Sequence, residues 1–404
     1  MNIIIVIFLL STCCNVISST MFGGYMSIEE DREKISSTYL FPTNSNDFII
    51  ISTLHGDLFR LKVSQQRIVK NVVVDNLYQN QESGSTSTGY LDDDNNRFYF
   101  ATTRNSFNTT PPTVDITCFD GQQLSVLNSF MIENESIPFN QNSFFVDVTT
   151  GYIYLIGSSR IFKFVYNVQG LQFVQSITYP ISCIFPSSAA FNSNKQMIYL
   201  GCTASNGFLY EISMSNLNVT HTHMYYYGES ILSLLLAPLD SYTFIGGTPK
   251  GRGITDSVPF HIVSFSIDGQ DPGEYRDRQV SYGEPSTAAS DGKQYGVFVF
   301  EHEIMLINLV EMDNSVVGLD YYESFVGLTS VYSSSTNQVI VTTNSSYIYF
   351  YNMPNTTPPH LVVPYYIAFP VLIVGILIIL LICKFIHSCI KCKKSKNSDY
   401  TPIL

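Results

Sequence analysis

Between residues 39 and 351 the sequence repeats one pattern seven times, and this repeat constrains the fold more than any other feature. Each copy begins with small or apolar residues, passes through a polar turn and continues into a run dense in Tyr, Phe, Ile and Val. The runs after the seven turns are Phe48–Ile51, Phe98–Phe100, Tyr152–Leu155, Met197–Leu200, Tyr242–Ile245, Tyr295–Phe300 and Val339–Val341. Such runs between polar turns are typical of buried β-strands.

A second strand signal follows in every copy. These second runs are Asp57–Val63, Val114–Phe119, Ile161–Val165, Phe208–Ile212, His261–Ile267, Glu303–Leu309 and Tyr347–Tyr351. A period of about 45 to 50 residues with strand after strand is typical of a β-propeller, whose four-stranded blades surround a central channel. Because amphipathic helical periodicity is hardly visible in this region, an α/β alternative has little support. We predict an all-β, seven-bladed β-propeller.

The seventh copy is one strand short. It has strand signals at Gly327–Tyr332, Val339–Thr343 and Tyr347–Tyr351 and then meets Pro354. We predict that Met21–Ile28 supplies the missing outer strand. This exchange would pair a free sheet edge and tie the two ends of the ring together.

The repeats resemble the broad superfamily of seven-bladed propellers and are nearest in style to tyrosine- and valine-rich, quinoprotein-like repeats, over Ile35 to Tyr351. The chain has no tryptophan, which excludes the Trp-Asp repeat signature, and Gly246-Gly247 is its one kelch-like glycine pair. The resemblance implies an architecture and carries no activity or cofactor with it.

Near the carboxyl end, an uncharged apolar run from Ile367 to Cys383 is followed by five lysines within residues 384–396. With Tyr365 and Tyr366, residues 365–383 are long enough for a helix that crosses a bilayer, which takes about 20 residues. Lysines on one side predict that the tail, residues 384–404, is cytoplasmic. The preceding Pro-rich residues 353–364 form a linker.

The amino end predicts a secretory signal peptide over residues 1–20, with an apolar segment Ile3–Leu10 followed by small polar residues. No Lys or Arg precedes that segment, so a retained anchor is the alternative. The two segments together leave residues 21–352 as a propeller ectodomain on the outer or luminal side, in the plasma membrane and/or the endolysosomal membrane.

The predicted ectodomain is strongly acidic, and it also carries acceptor sites for N-glycans. Before Lys384 the chain has 16 basic and 32 acidic residues, a net charge of −16. No basic patch is available for phosphates, so nucleic acid is not an expected partner.

On a translocated chain, Asn-X-Ser/Thr sequences mark glycosylation sites on exposed loops. Five such sites occur, at Asn108, Asn134, Asn218, Asn344 and Asn355.

Few cysteines lie in the predicted ectodomain, so disulfides cannot be its framework. Cys183 and Cys202 can pair and leave Cys118 buried and free; three unpaired core thiols are the alternative. In the tail, Cys389 and Cys392 are candidates for palmitoylation beside the inner leaflet.

Two clusters contain the residue types of catalytic or metal sites. In Glu301-His302-Glu303, successive residues of a strand face opposite sides, so His302 would point away from both glutamates. His221 and His223 share a face, but the sequence offers no third metal ligand nearby. We therefore expect no catalytic, cofactor or metal site from these residues.

A third cluster, Asp92, Asp94 and Asn96, resembles the opening of a calcium loop. Arg97 stands in place of the glycine and Thr103 in place of the closing glutamate. The better interpretation is a polar turn between two strands.

The tail ends in Tyr400-Thr401-Pro402-Ile403, followed by Leu404. This motif resembles the tyrosine-based sorting signal that clathrin adaptors bind as an extended segment with pockets for the tyrosine and the bulky apolar residue. Tyr400 and Ile403 are the predicted anchors, and the resemblance implies passage through endosomes.

The sequence thus predicts a type I membrane glycoprotein whose propeller binds a protein or glycan ligand. One alternative is a membrane-tethered propeller hydrolase or lyase that acts on glycans. Another is a passive glycoprotein of the endolysosomal membrane.

The predicted topology is testable on the full-length protein. Glycosidase treatment should increase its gel mobility, because the five Asn sites face the glycosylating lumen. Protease added to intact vesicles should remove only the tail. A band that does not shift with glycosidase would contradict the orientation.

Overall fold

A computed structural model describes residues 22–27, 38–45, 47–53, 57–74, 86–104, 111–139, 142–203, 207–225, 228–236, 242–249, 260–266, 279–280, 287–300, 303–309, 313–318, 327–343 and 347–354. The chain divides into two compact units, Met1–Pro354 and Asn355–Leu404, and all described residues belong to the first.

The described residues form 28 β-strands and one short 3-10 helix, Val63–Gln65. The first fourteen strands are β1 (Phe22–Ser27), β2 (Thr38–Leu40), β3 (Phe48–Thr53), β4 (Asp57–Lys62), β5 (Arg67–Val73), β6 (Ser87–Asp92), β7 (Arg97–Arg104), β8 (Thr113–Asp120), β9 (Val126–Glu133), β10 (Phe144–Asp147), β11 (Tyr152–Ile156), β12 (Arg160–Asn167), β13 (Gly170–Thr178) and β14 (Phe185–Asn192). The other fourteen are β15 (Met197–Thr203), β16 (Gly207–Ser213), β17 (Val219–Tyr225), β18 (Gly228–Leu236), β19 (Tyr242–Pro249), β20 (Phe260–Ser266), β21 (Gln279–Val280), β22 (Thr287–Ser290), β23 (Tyr295–Val299), β24 (Glu303–Asn308), β25 (Asp313–Gly318), β26 (Gly327–Ser333), β27 (Gln338–Thr343) and β28 (Tyr347–Asn352).

Consecutive strands pair antiparallel into four-stranded sheets. In chain order these are sheet 1 (β2–β5), sheet 2 (β6–β9), sheet 3 (β10–β13), sheet 4 (β14–β17), sheet 5 (β18–β21), sheet 6 (β22–β25) and sheet 7 (β26–β28 with β1). Four-stranded antiparallel meanders that pack side by side are the blades of a β-propeller. The predicted all-β propeller fold is confirmed.

Burial explains why the strands differ in sequence. Residues 49–53 of β3 and all of β27 are buried, because neighbouring sheets cover both faces of a middle strand. Their sequences are accordingly apolar or uncharged on both faces, FIIIST and QVIVTT. The outer strand β5 instead alternates between exposed and half-buried residues, as expected for a strand with one solvated face.

The core lies between sheets rather than within one. Between sheets 1 and 2, the ring of Phe41 packs 5.3 Å from that of Phe98. Between sheets 7 and 1, Phe350 and Ile340 share an apolar cluster with Ile49. Each sheet therefore buries its apolar faces against its neighbours.

The polar turns of the repeat are stabilised by their own side chains. Asp147 accepts hydrogen bonds from the backbone N–H of Thr149 and the hydroxyl of Thr150, and Gly151 follows with a φ of 73°. Asp291 accepts from three successive backbone N–H groups, those of residues 293–295. Short polar side chains and a residue that tolerates positive φ are what such turns require.

A buried arginine joins sheets 1 and 2. Arg60 donates to the carbonyl of Gly121 at 2.5 Å and to the carboxylate of Asp93 at 2.6 Å, and its guanidinium lies 4.2 Å from the ring of Phe48. A guanidinium that is paired and stacked in this way avoids the cost of an unpaired buried charge.

A buried lysine joins sheets 3 and 4 in a similar manner. Lys163 donates to the carbonyls of Met214 and Ser215 at 2.9 and 3.0 Å, and its ammonium lies 3.8 Å from the ring centre of Tyr152. Desolvation lowers the pKa of Lys163, while the nearby Asp147 opposes that shift. Both cations reach from the third strand of one sheet into the next sheet.

Strand β1 completes sheet 7, as the sequence analysis predicted for Met21–Ile28. It runs antiparallel to β28 through five register pairs, among them Tyr25 with Tyr349 and Met26 with Ile348. Met26 also packs against the cluster between sheets 7 and 1. The chain segment before sheet 1 thus closes the last sheet.

Deletion of residues 22–27 should lower the free energy of unfolding of the whole propeller. The five register pairs with β28 would be lost, at about 0.5–1.5 kcal/mol for each hydrogen bond. Chemical denaturation of the full-length protein in detergent would measure the change. Tyr25→Ser is the control, because this 61 % exposed side chain leaves the backbone pairing intact. Equal stability of the deletion variant and the parent would contradict the closure.

Candidate functional site

The turn that resembles a calcium loop uses its carboxylates for hydrogen bonds. Asp92 accepts from the side-chain amide of Asn44 at 3.1 Å and from the backbone N–H of Asn95 at 3.2 Å. Asp94 accepts from the same Asn44 amide at 3.0 Å. These contacts bind sheet 2 to the loop that begins after β2, so the turn has a structural role. Across the described ranges, no group of three His, Cys, Asp or Glu is placed to hold a metal ion.

The histidine pair lies against a buried glutamate. His223 Nε2 is 2.7 Å from one carboxylate oxygen of Glu211, and His221 Nδ1 is 3.3 Å from the other. Glu211 lies on β16 and both histidines lie on β17, where a bulge places Thr220 between two register pairs. The arrangement ties the outer strand of sheet 4 to its neighbour.

A second buried carboxylate, Glu135, is also satisfied. It accepts from the hydroxyls of Ser158 and Ser159, both at 2.6 Å, and from the Ser159 N–H at 3.0 Å. A Cβ at Gly157 would lie 2.7 Å from this side chain, so that position requires glycine. Glu135 therefore positions the β11–β12 turn. Both of its carboxylate oxygens already accept hydrogen bonds, so neither is available for catalysis.

Two of the predicted glycan acceptors are described. Asn134 follows β9 and Asn218 precedes β17, and both side chains are exposed. Exposure is the property that a glycan acceptor needs.

The remaining predicted sites lie outside the described residues. They are Asn108, Asn344, Asn355, Glu301, His302, Cys389, Cys392, Tyr400 and Ile403, together with the span 365–383. Among the described residues no helix is long and apolar enough to cross a membrane.

Large apolar side chains are exposed on the connection from sheet 3 to sheet 4. We call residues 179–185, which run from the end of β13 to the first residue of β14, the apolar loop. Ile181 is 102 % exposed, Ile184 58 % and Phe185 64 %. Single exposed apolar residues are ordinary, but three within five positions of one loop form a group that merits a functional explanation.

A disulfide fastens this loop to the sheet. Cys183 is joined to Cys202, which lies on β15, with the two Cα atoms 5.3 Å apart. The third cysteine of the described residues, Cys118, is buried and forms no disulfide, and burial raises the pKa of its thiol to about 12. A thiol with so high a pKa is chemically inert at neutral pH.

Hydrogen bonds fix the rest of the apolar loop. The Cys183 N–H donates to the Pro180 carbonyl at 2.9 Å, which closes a turn with Ile181 at its tip. The Tyr179 hydroxyl donates to the Gly157 carbonyl at 2.6 Å. Ser182 and Tyr210 share a hydroxyl–hydroxyl bond of 2.5 Å. The apolar side chains are therefore presented on a rigid frame.

The surroundings of the loop in the sequence carry no charge. From Phe164 to Asn194 there is no Asp, Glu, Lys or Arg. Six of the fourteen exposed large apolar side chains in the described residues fall within this stretch, including Val168 and Phe173. The loop joins the outer strand of one sheet to the inner strand of the next, and such loops on a rigid scaffold are common binding positions.

Comparison with known proteins extends the fold assignment. No protein-family model matches the chain. No curated protein matches it by sequence. Among solved structures, the β-propeller domain of Cps50 (Swd1) from Myceliophteria thermophila is similar, with a TM-score of 0.53 and 9 % identity, covering 83 % of this chain and 99 % of that domain. The Pan2 WD40 domain of Neurospora crassa is similar with a TM-score of 0.56 and 10 % identity, covering 84 % of this chain and 96 % of that domain.

These similarities show the fold alone. The lack of tryptophan excludes the Trp-Asp signature, yet the backbone resembles that of a WD40 domain. The same propeller backbone is thus reached by a different sequence pattern. The chain is similar to known β-propellers in its architecture.

Sequence reasoning did not identify the apolar loop as a site. Ile181, Ile184 and Phe185 look like core residues in the sequence, and their exposure follows from the turn at Pro180 and the anchor at Cys183. The uncharged stretch around them was the signal that could have drawn attention to this surface.

Replacement of both Cys183 and Cys202 by Ala should lower the free energy of unfolding by about 3 kcal/mol, the chain-entropy value for a loop of this size. It should also make the apolar loop cleavable by protease in the native state. Denaturation and limited proteolysis of the full-length protein would measure both effects. Cys118→Ala, which removes a buried thiol without opening a cross-link, is the control and should leave proteolysis unchanged. Unaltered loop cleavage in the double variant would show that the disulfide does not fasten the loop.

Proposed function

We propose that this chain is a single-pass type I membrane glycoprotein whose ectodomain, a closed ring of seven blades, binds a protein or glycan ligand outside the cytosol. The observation that carries the proposal is the rigid apolar loop, which presents three exposed apolar side chains. Exposed apolar groups rimmed by polar surface mark interaction sites.

The proposed membrane anchor and the proposed sorting signal both rest on the sequence. Residues 1–20 supply the signal peptide, 365–383 the membrane helix and 384–404 the cytoplasmic tail. A clathrin adaptor binds Tyr400 and Ile403, and the protein cycles between the plasma membrane and endosomes. The exposed Asn134 and Asn218 support glycosylation of the same ectodomain.

A glycan ligand has its own supporting observation on sheet 7. The rings of Tyr25, Tyr347 and Tyr349 lie 5.6 to 6.4 Å apart, and Tyr25 is 61 % exposed. Aromatic side chains with an apolar face and a hydroxyl suit amphipathic ligands. We call these three residues the tyrosine cluster.

Two other functions remain as alternatives. A tethered glycan hydrolase or lyase would depend on Glu301, His302 and Glu303, and an activity screen of the protein with these residues replaced tests it. A passive glycoprotein would bind nothing at the apolar loop or at the tyrosine cluster.

Binding is tested with the purified full-length protein in nanodiscs of zwitterionic lipid. The protein is applied to an array of purified cell-surface ectodomains and to an array of glycans. The proposal predicts at least one saturable ligand on either array. Absence of any ligand on both arrays would contradict a recognition function and favour the passive glycoprotein.

Tyr400→Ala should trap the protein at the plasma membrane and leave glycosylation unchanged. In an extended chain Ile403 lies about 10 Å from Tyr400, so the two side chains reach separate pockets of the adaptor. Ile403→Ala should have the same effect more weakly. Surface biotinylation and endosomal imaging would measure both variants. If both reach endosomes like the parent, the motif is not a sorting signal.

A further inference from the structure

We infer that the ligand is a folded protein with an apolar pocket that receives Ile181, Ile184 and Phe185, and this inference rests on the proposed function. It names one of the two ligand classes and places the contact on the apolar loop. The tyrosine cluster is then not the principal contact.

The exposure of the three side chains indicates a pocket rather than a flat contact. Ile181 stands at the tip of a turn with its whole side chain in solvent, and Ile184 and Phe185 lie close behind it in the chain. Apolar anchors that enter a desolvated pocket supply most of the binding energy of many protein interfaces.

The frame of the loop lowers the cost of binding. The Cys183–Cys202 disulfide, the turn closed at Pro180 and the Ser182–Tyr210 bond hold the loop before a partner arrives. Little conformational entropy is then lost on association, which favours tight binding by a small surface.

Charge argues against a membrane surface and against acidic glycans. The stretch from Phe164 to Asn194 has no basic side chain, and the chain before Lys384 has a net charge of −16. Anionic lipids and acidic sugars attract basic residues, so neither has a counterpart here.

Neutral glycans also fit the loop poorly. Phe185 is the one exposed aromatic side chain of residues 179–185, and the hydroxyl of Ser182 is already bonded to Tyr210. Sugar recognition needs several free polar groups beside an aromatic ring, as any small-molecule site needs well-placed polar groups. An apolar protein pocket needs none.

A second copy of this chain is a weaker candidate because the surface is too small. A stable two-fold interface takes about 20 residues and about 800 Å² from each partner. Three anchors at a loop tip suit insertion into a concave partner instead.

The test compares four proteins in zwitterionic nanodiscs on the two arrays: the parent, the double variant Ile181→Ser with Phe185→Ser, the control Val73→Ser, and Tyr25→Ser as the probe of the tyrosine cluster. Val73 is 61 % exposed, like the side chains of the apolar loop, but lies on β5. For the protein ligand found with the parent, we expect the double variant to weaken binding at least about 30-fold, the factor that corresponds to the loss of a hot spot. Val73→Ser should bind like the parent, because it lies outside the apolar loop and the tyrosine cluster. Circular dichroism and unfolding midpoints confirm that all three variants are folded.

The salt dependence of the dissociation constant is the second measurement. The dissociation constant for the parent should change less than about threefold between about 0.05 and 0.5 M NaCl, because no ion pair contributes. A protein or glycan that binds the double variant as tightly as the parent would overturn the inference and leave the proposed function standing. Loss of binding in Tyr25→Ser alone, or self-association of the parent abolished by the double variant, would also overturn it. Absence of any ligand would overturn both.

Discussion

The pairing of β1 with β28 is the constraint on which the rest of the propeller depends. The core lies between sheets, so every sheet needs a neighbour on both sides, and sheet 7 is complete only when the amino-terminal strand joins it. That strand also contributes Met26 to the cluster shared with sheet 1. One six-residue strand thus secures the contact between the beginning and the end of the described chain.

The packing of the described sheets against their neighbours gives the surface loops a rigid base. Arg60 and Lys163 add polar links between neighbouring sheets, each with at least one carbonyl acceptor and an aromatic ring beside the cation. The apolar loop extends this rigidity to the surface, since its disulfide joins it to a middle strand of sheet 4. The scaffold therefore presents exposed apolar groups without allowing them to collapse onto the sheet.

Local sequence predicted much of the architecture because the signals are local. The run Phe98–Phe100 lies within β7, and residues 93–96 form the turn that was predicted over Asp92 to Asn96. Strand Phe22–Ser27 completes sheet 7. Contacts between residues that are far apart in the sequence could not be predicted from these local signals. Nothing near Arg60 in the sequence indicates an acceptor at Gly121, and the pairing of Glu211 with two histidines depends on a bulge in the strand register. The exposure of Ile181 depends likewise on the turn and the disulfide around it.

The central claim is that the apolar loop is the recognition surface of a tethered propeller. Hydroxyl-radical footprinting of the full-length protein, alone and bound to the protein ligand from the array, tests it most directly. The account predicts strong protection of Ile181, Ile184 and Phe185, with Tyr25 and Val73 unchanged. Protection of Tyr25 while the three loop residues remain as reactive as in the free protein would contradict it.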